Sequence, residues 1–211
     1  SVGLADNLPL NPLRRWTWDV TVDGVDPPAG RTAHEIDQSI ADPGFFESIG
    51  IPIVRGRNFL PLDQPGGQRV AIINEVMAER FWPGENPLGR RMRVGNSQSQ
   101  REWRTIVGVV PNLRMAGFSE GVEEPAGFYL PLAQSDRSFL TMAIQVAHGD
   151  PLSLAPAVRA AVRAIHPAST ISPAATRPCT ASTRPTAAPQ ANNHRLMAGV
   201  QAKPQVKGRT A

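Results

Sequence analysis

Histidine, cysteine and carboxylate side chains carry most acid-base, nucleophilic and metal chemistry, so their number and spacing are the first constraint on function. The 211-residue chain has four histidines, His34, His148, His166 and His194, and they are scattered. None falls in a His-Glu-x-x-His helix or in a spacing that would gather metal ligands, and each reads as a surface or capping histidine. Cys179 is the only cysteine, which excludes an intrachain disulfide and a zinc ribbon. Glu75 and Glu79 stand one helical turn apart and could pair for acid-base work or hold a cation. Beside Arg80, that spacing more simply gives a solvated helix face. The chain lacks Gly-x-x-x-x-Gly-Lys-Ser/Thr, whose amides cradle nucleotide phosphates, and Gly-x-Ser-x-Gly, the esterase elbow. The expectation is a chain without catalytic, cofactor-binding or metal-binding residues, and not an enzyme.

Aromatic residues are the next candidates. Phe45, Phe46, Phe81, Trp82 and Trp103 could line a ligand groove or a partner surface, but aromatics beside turn residues at helix ends are more often core contacts. Trp82, at a helix stop before Pro-Gly-Glu-Asn-Pro, is the one expected to reach a rim. Charge argues against nucleic acid. All 18 acidic residues precede Ser172, while residues 172–211 carry six Lys or Arg and no carboxylate. The first 171 residues therefore hold 22 − 6 = 16 basic against 18 acidic groups, a net charge of −2, and the pI near 10.2 belongs to the tail. No run approaches the roughly 18 apolar residues of a membrane span, and residues 1–11 show no signal-peptide pattern.

These side chains must be positioned by elements that the hydrophobic periods reveal. Residues 16–22 alternate as a strand with one buried face, 32–40 read weakly as a strand, and 70–73 form an apolar run suited to a buried strand. Asn74 is placed to cap a helix that ends at Pro83-Gly84. Strands follow at 91–94, 103–110, 127–130 and 139–147. Leu154, Val158, Ala161, Val162 and Ile165 mark a helix over 151–165. The segment 42–59 is the most distinctive: Asp42 as N-cap, Pro43 in the first turn, an apolar face of Phe45, Phe46 and Ile49, a Gly50 C-cap, a strand over 51–54, and a turn at Arg55-Gly56-Arg57. About three helices among these strands give an α+β fold with a mixed sheet.

The wording of 42–59, with Val70-Ala71-Ile72-Ile73-Asn74-Glu75, Phe81-Trp82-Pro83-Gly84-Glu85-Asn86-Pro87-Leu88-Gly89, Val107-Gly108-Val109-Val110, Tyr129-Leu130-Pro131-Leu132 and the helix after Gly149-Asp150-Pro151, resembles one family in content and order. That family is the MacB-like periplasmic core domain of ABC transporter permeases, whose membrane part is the FtsX-like permease; the resemblance covers about residues 16–168. It implies a βαβ-type, porter-like subdomain plus a strand-rich second part, with 1–171 as the periplasmic core domain. It further implies a non-catalytic extracytoplasmic role at the periplasmic face of the bacterial inner membrane. There the domain couples motion of transmembrane helices to substrates or partner proteins. The implied partners are membrane-embedded permease helices, an ATPase on a separate subunit or domain, and periplasmic adaptor proteins, with no cofactor and no nucleic acid.

The pattern stops after Ile171, where the family would supply a last strand and helix. Residues 172–211 contain nine Ala and five Pro with no aromatic, which predicts a disordered, low-complexity basic tail. A shifted reading frame or a truncation explains so abrupt a change better than a flexible linker does. Rival readings are a stand-alone periplasmic binding or interaction module, a non-functional truncated permease fragment, and a hydrolase of unrecognised type. Nothing beyond the presence of Ser, His and Asp argues for the last.

Overall fold

A computed structural model describes residues 1–7, 16–113, 125–136, 140–165, 170–171, 175–176 and 195–201. Its apolar runs are strands that close on one another. Eight precede residue 132: β1 (Val2–Ala5), β2 (Thr17–Val22), β3 (His34–Ala41), β4 (Arg55–Gly56), β5 (Val70–Asn74), β6 (Arg91–Val94), β7 (Arg104–Val110) and β8 (Gly127–Pro131). Hydrogen-bonded pairing runs β3-β2-β6-β7-β5-β8, and β8 pairs with β3 again, so six strands form a closed barrel. Two pairs, β5/β7 and β3/β8, are parallel and the others antiparallel. The expected α+β class with a mixed sheet holds. A βαβ subdomain beside a separate strand-rich part does not describe it, because β8 bridges β3 and β5 and draws early and late strands into one wall.

Side-chain alternation explains why β5 reads as an unbroken apolar run. Ala71 and Ile73 join the cluster inside the barrel with Val20, Met92 and Phe128, whereas Val70 and Ile72 join a second cluster outside it. A strand buried on both faces has no polar side to show. The outer cluster is covered by α1 (Phe45–Ile49), whose Phe45, Phe46 and Ile49 pack on Tyr129 and Phe59. Gly50 ends α1 in the left-handed region at φ 69°, donating to Phe46 and Glu47 carbonyls, as its C-cap reading requires. α2 (Glu75–Phe81) follows β5 directly and places Met77, Ala78 and Phe81 in the barrel cluster, closing the end where β5 finishes.

Four details depart from the sequence reading. The N-cap position of α1 is Gly44, with no side-chain cap bond. Asp42 instead accepts the Leu4 amide at 2.9 Å, tying β1 to the helix entry. Burial pushes its carboxyl above the usual range although the Leu4, Gly44 and Phe45 amides pull the other way. Residues 51–54 make no ladder of their own. Pro52 lacks an N–H, and pairing to β7 begins with the Val54 amide on the Val109 carbonyl at 2.8 Å and continues through β4. Trp82 does not reach a rim; it is buried edge-to-face on Phe81 in the barrel core.

The fourth departure is β1 and what joins it. β9 (Leu140–Gln145) pairs with β1, and a 3-10 turn (Pro151–Leu154) leads into α3 (Ala155–Ile165). β1 is short and holds Gly3, whose added Cβ would stand 2.3 Å from the Phe45 Cα, so the strand is selected by close approach to α1 and not by an apolar period. β10 (Thr170–Ile171) and, in the tail, β11 (Ala175–Thr176) pair with β12 (Arg195–Gln201), which extends the sheet from β9. An open strand edge can recruit backbone, which needs no side-chain pattern. His166 and the rest of the tail, with Cys179 and His194, lie outside the described residues. Among the described residues no helix is long and apolar enough to cross a membrane.

Candidate functional site

The barrel end opposite α2 is open. The registers Val70↔Thr105, Ile40↔Leu130 and Val20↔Val94 bring the starts of β2, β5 and β7 and the ends of β3, β6 and β8 to this mouth. There they surround a cleft of about 450 Å³. Its apolar floor is Ile40, Val94 and Leu130, all buried, with half-buried Trp18 as one wall. Its polar lining includes Arg69, Arg101, Arg104, Glu102 and Asp136.

Gln134, buried in the 3-10 turn after β8, organises the rim. Its Oε1 accepts from Arg104 Nη1 at 3.2 Å and from the Val70 amide at 3.3 Å, and its Nε2 donates to the Gln68 carbonyl at 2.8 Å. Arg69 is held by Glu102 at 2.6 Å. Arg101 stacks over Trp18 at 5.5 Å. Burial, with the positive charges of Arg69 and Arg101 outweighing the help of Glu102, lowers the Arg104 guanidinium to about 10, still protonated at neutral pH. The Trp18–Arg101 wall also borders a shallower hollow of about 510 Å³ lined by Asp19, Glu35, Asn96 and Ser99. The arrangement offers hydrogen bonds, charge and an apolar surface to a ligand.

The described residues singled out from the sequence lie elsewhere. Glu75 and Glu79 are exposed on α2, and His148 is exposed beyond β9. Phe45, Phe46, Phe81 and Trp82 are core, while half-buried Trp103 packs under the guanidinium groups of Arg91 and Arg93 at 5.4 and 4.7 Å. Among the described residues no cluster of His, Cys, Asp and Glu is placed to hold a metal ion. The mouth arginines and Gln134 escaped sequence reasoning; the nearest signal was the run Arg101-Glu102-Trp103-Arg104 at the start of a strand.

His34 corrects the surface reading for histidines. It is buried against Phe81, ring centroids 4.8 Å apart and edge-on at 72°, and neither ring nitrogen makes a regular hydrogen bond. Burial, then the charge of Arg80, lowers its pKa below the usual 6.5. The unfolded chain therefore takes up this proton at higher pH than the folded one, so stability falls as pH drops through 6.5 toward the folded value. Urea midpoints at pH 7.5 and 5 should diverge in the parent, and His34→Leu should shrink that divergence. An equal divergence in the variant would assign it to other groups.

Comparison with known proteins identifies the frame. Among curated proteins no sequence match is found. Among solved structures, the periplasmic region of MacB from Actinobacillus actinomycetemcomitans aligns with TM-score 0.53 and 13% identity, over 79% of this chain and 67% of that one. At that identity the likeness is one of fold. The extracellular domain of the noncanonic ABC-type transporter YknZ from Gram-positive bacteria aligns with TM-score 0.40 and 18% identity, over 62% of this chain and 54% of that one. The sequence model for the MacB-like periplasmic core domain matches residues 13–165, the stretch that holds the barrel, α1, α2 and α3. The chain thus belongs to the MacB-like periplasmic core domain family, a periplasmic domain of ABC transporter permeases.

Proposed function

We propose that this chain is the extracytoplasmic part of an ABC transporter permease. It lies at the periplasmic face of the inner membrane and passes the motion of transmembrane helices to substrates or partner proteins. ATP hydrolysis takes place on another subunit or domain, and adaptor proteins are candidate partners on the periplasmic side. The domain forms and breaks no bonds itself and takes no cofactor. The family match over residues 13–165 carries this reading. The barrel supports it physically. A closed sheet packed inside and out is stiff, so a displacement applied at one place moves the whole body instead of being absorbed locally.

The test is a permease carrying this domain, reconstituted with its ATPase and spin-labelled at Glu79→Cys on exposed α2 and at a periplasmic helix end. Interspin distances should redistribute between nucleotide-free and ATP-bound states. An unchanged distribution would remove the coupling role. The isolated chain should show no ATPase activity; a rate abolished by one substitution within it would overturn the non-catalytic assignment.

A further inference from the structure

We propose that the open barrel mouth is a binding site for an amphipathic monocarboxylate, its carboxylate held by Arg104 and Arg101 and its apolar body seated on Ile40, Val94 and Leu130. This goes beyond the coupling role and does not rest on it.

The charge inventory points to the class of ligand. Three guanidinium groups, Arg69, Arg101 and Arg104, face two carboxylates, Glu102 and Asp136, so the lining carries 3 − 2 = +1. Glu102 is committed to Arg69 at 2.6 Å. Arg104 has only neutral acceptors, Gln134 Oε1 at 3.2 Å and the Val70 carbonyl at 3.5 Å, and among the described residues no carboxylate pairs with it. Among the described residues the Arg101 guanidinium is engaged by the Trp18 ring alone. A guanidinium half-withdrawn from water and without a carboxylate in direct contact favours an anion that can accept two hydrogen bonds at once. Phosphate, hydrated on every side, gains nothing from the apolar floor of Ile40, Val94 and Leu130, which disfavours it against a carboxylate with an apolar body.

The floor settles the rest of the ligand. Ile40, Val94 and Leu130 leave an apolar base beneath the charged rim, and Trp18 supplies a flat wall stiffened by Arg101. At about 450 Å³ the cleft is within the size range of small-molecule sites, which favour barrel mouths. Two sources share this chemistry: a free amphipathic acid, and the C-terminal carboxylate of an apolar peptide.

The full chain, isotope-labelled for amide NMR, would be titrated with octanoate, octanol, N-acetyl-phenylalanyl-leucine, the amide of that dipeptide, and inorganic phosphate. At least one carboxylate probe should shift the amides around Trp18, Arg104 and Leu130. Its neutral counterpart should bind at least tenfold more weakly, as loss of a charge-assisted hydrogen bond requires. Tighter binding of octanoate or of the dipeptide identifies the source. Arg104→Gln should weaken the carboxylate at least tenfold. Should that variant fail to fold through loss of the Gln134 bond, exposed Arg101→Gln provides the same reading, with a loss of at least threefold. Equal binding of acid and neutral probe, phosphate binding as tight as the carboxylates, no mouth shifts at millimolar probe, or folded variants that bind like the parent would each overturn the assignment.

Discussion

Phe46→Ala should lower the stability of the domain by about 3 to 5 kcal/mol, the largest single-residue effect expected in this chain. Phe46 is 1% exposed and meets three rings: Phe45 at 5.5 Å, Tyr129 at 5.0 Å in T-shaped contact, and Phe59 at 6.3 Å. Those partners come from α1, β8 and the loop after β4, so truncation leaves a hole walled by separate elements that cannot all move in to fill it. The lost transfer energy of the ring and the residual cavity therefore add. Against a total stability of about 5 to 15 kcal/mol for an ordinary domain, the loss is a large fraction. Urea unfolding should show a clearly lower midpoint at an unchanged slope. A partner-docking role would leave the midpoint where it is and weaken association instead, so an unshifted midpoint would mean that the ring is not core.

That helix shows what local sequence can reveal. The Phe45, Phe46 and Ile49 spacing and Gly50 report α1 and its stop because both are set within a few residues. Residues 70–73, 91–94 and 127–130 report their strands for the same reason. Closure of the barrel is different in kind. It depends on β8 lying parallel to β3, with Asp37 opposite Gly127 and Ala41 opposite Pro131, about ninety positions away. Strand periodicity states that a face is buried and is silent about which strand covers it. β1 and β12 were missed for a related reason: a short strand holding Gly3, and a strand recruited to an open edge, have little side-chain period to read.

The mouth was still less legible. Arg69, Arg101 and Arg104 look like ordinary surface cations in the sequence, and only the shared end of six strands turns them into one rim. Gln134 reads as a loop residue until its amide is seen bridging Arg104, Val70 and Gln68. The four histidines drew attention first because their chemistry is conspicuous, yet the described ones, His34 and His148, lie outside the cleft lining. Side-chain reactivity is local to a residue, whereas a binding site is a property of topology.

Asn74→Ala is expected to cost about 2 to 4 kcal/mol, more than a helix cap alone, because this residue caps α2 and anchors β8 with one buried amide. Asn74 is 2% exposed; its Oδ1 accepts from the Met77 and Gly127 amides, both at 2.9 Å, while its Nδ2 donates to the Pro125 carbonyl at 2.9 Å. Removing a cap typically costs about 1 kcal/mol. The second part comes from the Gly127 amide, left without that side-chain partner in a dry region, where each such group costs about 1 to 3 kcal/mol. Asp150 supplies the control. It makes the analogous bond to the Leu152 amide at 2.9 Å but is exposed, so water replaces the lost acceptor and Asp150→Ala should cost less than about 1 kcal/mol. Denaturant unfolding of the two variants beside the parent measures the difference, and hydrogen exchange should show faster exchange at Gly127 in Asn74→Ala only. Equal losses in both variants, with Gly127 still protected, would reduce Asn74 to a simple cap and leave β8 held by its ladder alone.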